Sequence, residues 1–132
     1  MSSIRVDQSP MPLQVTSDEH LGLLPLRAGG SGLRLVGELD LCCAGELAIA
    51  LTELSRTASD IVLDLADLEF IDVAGTRLLV QTGIQLHDHH GRLRLRDPSQ
   101  LVREVLRLFL ATDDVPVSGD IELPLTGSGE LS

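Results

Sequence analysis

Two apolar periods alternate along this chain, and that alternation narrows the folds open to it more than any other feature. Ile61-Val62-Leu63-Asp64-Leu65 combines alternation with β-branching, and Arg92–Arg96 alternates charged with apolar residues, so both read as strands. Elsewhere the period is helical. Leu47, Ala50, Leu51 and Leu54 share one face of a helix predicted over 44–57. A second helix is predicted over 73–87, capped by Asp72, whose carboxylate can accept free amide protons. A third follows Ser99 and carries Val102, Val105, Leu106 and Phe109. Leu21–Leu26 and Leu33–Val36 read as a hairpin around the Gly29-Gly30-Ser31-Gly32 turn. The strand at 61–65 is expected to end in a turn around Asp67. Val115–Val117 is expected as a short edge strand, where Pro116 is tolerated.

The order is therefore β-β-α-β-α-β-α with a final optional strand. Strands joined through helices run parallel, and the hairpin adds an antiparallel pair. The fold class that follows is α/β, with a mixed four- to five-stranded sheet flanked by helices. A length of 132 residues suits one domain. Its bounds are expected at 20–118, with a loose leader over 1–19 that contains Pro10 and Pro12, and a flexible tail over 119–132.

Charge removes whole classes of partner. The formal net charge is -10, with 20 acidic against 10 basic residues, and the aromatic residues are Phe70 and Phe109 alone. Nucleic acids need cations for their phosphates and, as single strands, aromatic stacking platforms. An anionic membrane repels such a chain. Neither nucleic acid nor membrane is an expected partner; a basic protein surface is. The N-terminus has no apolar run of the signal-peptide kind, and the adjacent Cys42 and Cys43 bridge each other only with strain. A reduced, cytoplasmic setting is the expectation.

The second helix carries the most information. Gly75, Leu78, Leu79, Thr82 and Leu86 fall on one face, the core side. Val73, Thr76, Arg77, Val80, Ile84 and His87 fall on the opposite one. A surface helix normally carries charge there. Single exposed apolar residues are common and need no explanation. Three β-branched apolar residues around one arginine instead describe a docking surface anchored by Arg77.

Two stretches resemble the STAS family of anti-sigma factor antagonists. One is Gly37-Glu38-Leu39-Asp40 before a helix; the other is Ile61–Leu65 leading to Phe70-Ile71-Asp72-Val73-Ala74-Gly75. The resemblance spans about residues 20 to 118 and implies a STAS-like fold. It also implies a partner, an anti-sigma factor built as an ATPase-fold serine kinase, whose capture releases a sigma factor. In that family the residue after the Phe-Ile-Asp aspartate is a phosphorylated Ser or Thr, placed where free helix amides accommodate phosphate. Here that position is Val73, followed by Ala74, and neither has a hydroxyl. Three readings stand open: an antagonist that is constitutive or regulated otherwise, one that uses Thr76, or a STAS scaffold in a larger assembly such as a lipid-transport complex.

The resemblance places partner binding on Asp72, Val73, Ala74, Gly75, Thr76 and Arg77, extended by Val80 and Ile84 and bordered by Asp40. Other candidates carry less. His87 and His90 lie one turn apart, but a metal needs three or four ligands, so no metal is expected. Cys42 and Cys43 are candidate redox residues, since oxidation would join two chains as a homodimer. The bland reading makes them small residues at a helix start. Asp40, Asp64, Asp67 and Asp72 have no positioned base beside them, and the glycine turn lacks the lysine of a phosphate loop. Neither an enzymatic reaction nor a cofactor is expected.

Overall fold

The computed structural model describes residues 21–125. Its elements in chain order are β1 (Leu21–Leu24), β2 (Gly32–Leu39), α1 (Leu41–Ser55), β3 (Asp60–Ile71), α2 (Val73–Asp88), β4 (Arg92–Arg96), α3 (Gln100–Leu110) and β5 (Ile121–Leu123). The five strands form one sheet in the order β1-β2-β3-β4-β5. The two inner pairings are parallel and the two outer ones antiparallel. This is the expected mixed α/β sheet.

Register explains why the alternating segments became strands. Leu63 is level with Leu95, and Leu95 with Ile121; Ile61 is level with Leu93, and Leu93 with Leu123. All of these are buried, at 1% exposure or less. On the other face Val62, Arg94 and Glu122 form one row. There the Arg94 guanidinium donates to Glu122 at 2.9 Å and holds its carboxyl below the usual carboxylate value. Rows of aliphatic residues on one face form the floor on which Leu47 and Leu51 of α1 and Leu79 and Leu86 of α2 pack. α3 packs on β3 and α2. No helix among the described residues is long and apolar enough to cross a membrane.

Several boundaries differ from expectation: β1 stops at Leu24, β2 spans Gly32–Leu39 rather than Leu33–Val36, α1 spans Leu41–Ser55 rather than 44–57, and two further differences reshape the sheet. β3 does not turn at Asp67 but runs on to Ile71. Its pairing with β2 slips between Arg34 and Val36 and again between Gly37 and Glu38, and such irregularities break the alternation that marks a strand in sequence. The last strand is Ile121–Leu123, not Val115–Val117, so the sheet reaches beyond residue 118 into the stretch expected as a tail. Side chains of α3 hold the 115–119 stretch instead: Arg103, only 3% exposed, donates to the carbonyls of Pro98, Pro116 and Gly119 at 3.1, 2.9 and 2.6 Å. Gln100 donates to the Val117 carbonyl at 3.1 Å and Arg107 to the Val115 carbonyl at 3.4 Å, so four carbonyls of the 115–119 stretch are committed to side chains of α3. The leader expected over 1–19 and the end of the tail from 126 lie outside the described residues.

Candidate functional site

β2 and β3 end level with each other, Leu39 beside Ile71, and each passes through one aspartate into a helix. Asp40 and Asp72 both have extended backbones and cap the helices that follow. The Asp40 carboxylate accepts the Cys42 N–H at 3.0 Å. Asp72 does more. One of its oxygens accepts the Gly75 N–H of its own helix at 2.9 Å; the other accepts the Leu41 N–H of α1 at 3.0 Å. Its own amide donates to the Leu39 carbonyl at 3.1 Å. The two helix starts are one hydrogen-bonded unit, with two carboxylates set where the helix dipoles favour negative charge.

This unit presents apolar groups to water. Leu41 and Val73, the first residues of the two helices, are 75% and 56% exposed, and Phe70 at the end of β3 is 42% exposed. Farther along α2, Ile84 is 46% exposed, and on the outside of α1 Ile49 is 68% exposed. Arg77 is also exposed and makes no ion pair among the described residues. Contiguous exposed apolar groups mark an interaction site more often than scattered ones do. Leu41, Ile49 and Phe70 were missed in sequence. Leu41 was legible as the residue after a capping aspartate, and Ile49 as the position opposite Leu47 and Leu51 on the helical wheel.

Three expected contact residues face inward. Gly75 is buried: a Cβ there would stand 2.7 Å from Leu39 Cγ and 2.8 Å from the Leu39 carbonyl oxygen. Glycine lets α2 lie against the end of β2. Gly83 does the same farther along, where a Cβ would meet Leu123 Cβ at 2.6 Å. Thr76 is fully buried, and its hydroxyl donates to the Asp72 carbonyl at 2.8 Å. Burial of this threonine is inexpensive because that bond satisfies it, and the hydroxyl is not available as a phosphoacceptor. Val80 is half-buried and packs against the core. Of the stripe expected on the outer face, Val73, Arg77, Ile84 and His87 remain open.

The cysteines separate as well. Cys42 is exposed and Cys43 buried, and no disulfide joins them. Burial pushes the Cys43 thiol up to about 11, and the neighbouring Asp40 carboxylate adds to the rise. A thiol so held is protonated and a poor redox group, so a sensing role does not extend to Cys43. Among the described residues no three His, Cys, Asp or Glu side chains gather as a metal would require.

A family model described as "Mlab, STAS domain" matches residues 25–116. The anti-sigma factor antagonist SpoIIAA, in a structure of its unphosphorylated form, aligns with a TM-score of 0.56 at 24% identity, covering 67% of this chain and 78% of that one. The Bacillus cell fate determinant SpoIIAA in the phosphorylated form aligns with a TM-score of 0.53 at 21% identity, over 67% and 81% of the two chains. At these identities the likeness is one of fold. A comparison with curated proteins finds no match.

Proposed function

We propose, from the premise that the chain belongs to the STAS domain family, that it is an anti-sigma factor antagonist with no reaction of its own. It works in the cytoplasm. Its partner is an anti-sigma factor of the ATPase-fold serine-kinase type; any ATP belongs to that partner. The observation that carries this reading is the joined helix start, where Leu41 and Val73 are exposed and Arg77, one turn after Val73, makes no ion pair among the described residues. Covering those side chains removes apolar surface from water, and a net charge of -10 steers the chain toward a basic counterpart.

Val73 and Ala74 offer no hydroxyl, and the Thr76 hydroxyl is spent inside. The antagonist is therefore constitutive, or regulated by something other than phosphate at this helix start. The test is calorimetric titration of the full chain with a purified anti-sigma factor of that type from the same host. Val73→Asp and Arg77→Glu should each weaken binding by about tenfold or more, roughly 1.4 kcal/mol. Incubation with kinase and ATP should leave the chain's mass unchanged. Undiminished binding by Val73→Asp sinks the reading.

A second reading, a STAS scaffold subunit held in a larger assembly such as a lipid-transport complex, is favoured by the description of the matching family model. The two part on what co-purifies from the host: a sigma-system protein, or transporter subunits.

A further inference from the structure

Leu41, Gly45 and Ile49 follow one another at four-residue spacing, so they form one stripe on the outer face of α1. Leu41 and Ile49 are both widely exposed, and a Cβ added at Gly45 would meet nothing within 4 Å. Glycine inside a helix is less stable than alanine. Gly75 and Gly83 have an internal reason to be glycine, since a side chain there would strike Leu39 and Leu123. Gly45 has no such reason: its φ is not positive and its surroundings are open. The use left for it lies outside the domain, where the missing side chain lets another backbone come close.

The flanks of the stripe identify what fits. On one side stand the exposed carboxylates Glu46 and Glu53. On the other, Ala48, Thr52 and Ser55 lead into a cleft of about 780 Å³ between α1 and α2. The Thr52 and Ser55 hydroxyls donate to carbonyls of their own helix at 2.9 and 2.7 Å, so neither is left for a partner to satisfy. Arg56, 3.6 Å from Glu53, stands at the far end. The near end is Leu41, whose amide is held by Asp72, so the stripe runs without a break out of the joined helix start.

We propose that the anti-sigma factor also lays a helix along α1, crossing it at Gly45, with aliphatic side chains toward the cleft and Lys or Arg opposite Glu46 and Glu53. A helix face offers no strand edge to pair with, so a segment that approaches it closely must satisfy its own backbone, as a helix does. The acidic flank selects basic side chains. A second copy is the poorer fit, because two chains of formal net charge -10 repel each other. The inference rests on the antagonist reading and extends its contact surface from the helix start along α1.

Calorimetric titration with the purified anti-sigma factor, beside urea denaturation of the chain alone, tests this. Gly45→Ala should raise the denaturation midpoint of the lone chain and yet weaken binding. Gly45→Leu should weaken binding by about tenfold or more. A glycine that served only the fold would not separate the two measurements in this way. Glu53→Lys should slow association and flatten its dependence on salt. If the parent chain binds and Val73→Asp weakens it, while Gly45→Leu binds as the parent does, the antagonist reading stands and the contact along α1 is overturned. If the parent chain binds no anti-sigma factor, both fall. A lone chain that sediments as a dimer, and as a monomer in Gly45→Leu, would overturn the proposal by giving the stripe to a second copy.

Discussion

The starts of α1 and α2 are built on the same plan and used differently. Each follows a strand end, carries a capping aspartate, and opens on an exposed aliphatic residue: Asp40 then Leu41, Asp72 then Val73. Asp40 serves its own helix alone, whereas Asp72 serves both. At the third helical position α1 has the buried Cys43 and α2 has Gly75, which lets α2 rest on the end of β2. The difference teaches that a cap is not a local matter. One carboxylate fixes how two helices stand to each other, and so fixes the spacing of the two apolar residues at the tip.

The largest expected effect follows from that asymmetry. Asp72→Ala leaves two helix amides without acceptors and should destabilise the chain by about 2–3 kcal/mol. Asp40→Ala removes one such bond and should cost about 1 kcal/mol. Urea denaturation of the two variants measures the gap. Equal losses would break the comparison, because they would mean that the bond from Leu41 to Asp72 contributes nothing.

Much of this was legible in sequence. α2 begins at Val73 as its capping aspartate and apolar period indicated, and β4 spans the Arg92–Arg96 that alternation marked. The paired strand-to-aspartate-to-helix junctions were visible as motifs. What stayed hidden depends on contacts between distant segments. No local pattern tells that the Asp72 carboxylate reaches Leu41, 31 residues away. The wheel put Thr76 on the outer face because it counts angle alone, while the residue's satisfied hydroxyl lets it sit inside. β5 has three residues, too few for a period, and Gln100, Arg103 and Arg107 of α3 hold the chain before it.

The third helical positions sharpen the contrast through pH. The Cys43 thiol is raised from an ordinary 9.0 to about 11. A group whose native value lies above its unfolded one contributes stability that is complete below the unfolded value and lost as pH climbs through the native one. The chain should therefore lose about 2 kcal/mol between pH 9 and pH 11, a loss that Cys43→Ala abolishes and Cys42→Ala retains. Alkylation gives the same division without titration: iodoacetamide should label Cys42 in the folded chain and reach Cys43 only after unfolding. Equal labelling of both in the folded chain would place Cys43 at the surface.

Gly75→Ala tests the other member of the pair, and two opposing terms make its net effect the smallest. Replacing glycine within a helix gains about 1 kcal/mol of propensity. Against that, the new methyl would stand 2.8 Å from the Leu39 carbonyl oxygen, a backbone atom, and 2.7 Å from Leu39 Cγ. Overpacking of this kind costs about 1–3 kcal/mol, so a net loss near 1 kcal/mol is expected by urea denaturation. The structural consequence outweighs the energy. To relieve the contact α2 must lift from the end of β2, which stretches the 3.0 Å bond that ties Asp72 to the start of α1. The Leu41 amide should then exchange its hydrogen faster in Gly75→Ala than in the parent chain, while the Cys42 amide, held by Asp40, should not change. A stabilised Gly75→Ala with unaltered exchange at Leu41 would show that α2 does not press on β2 and that the two helix starts are not coupled.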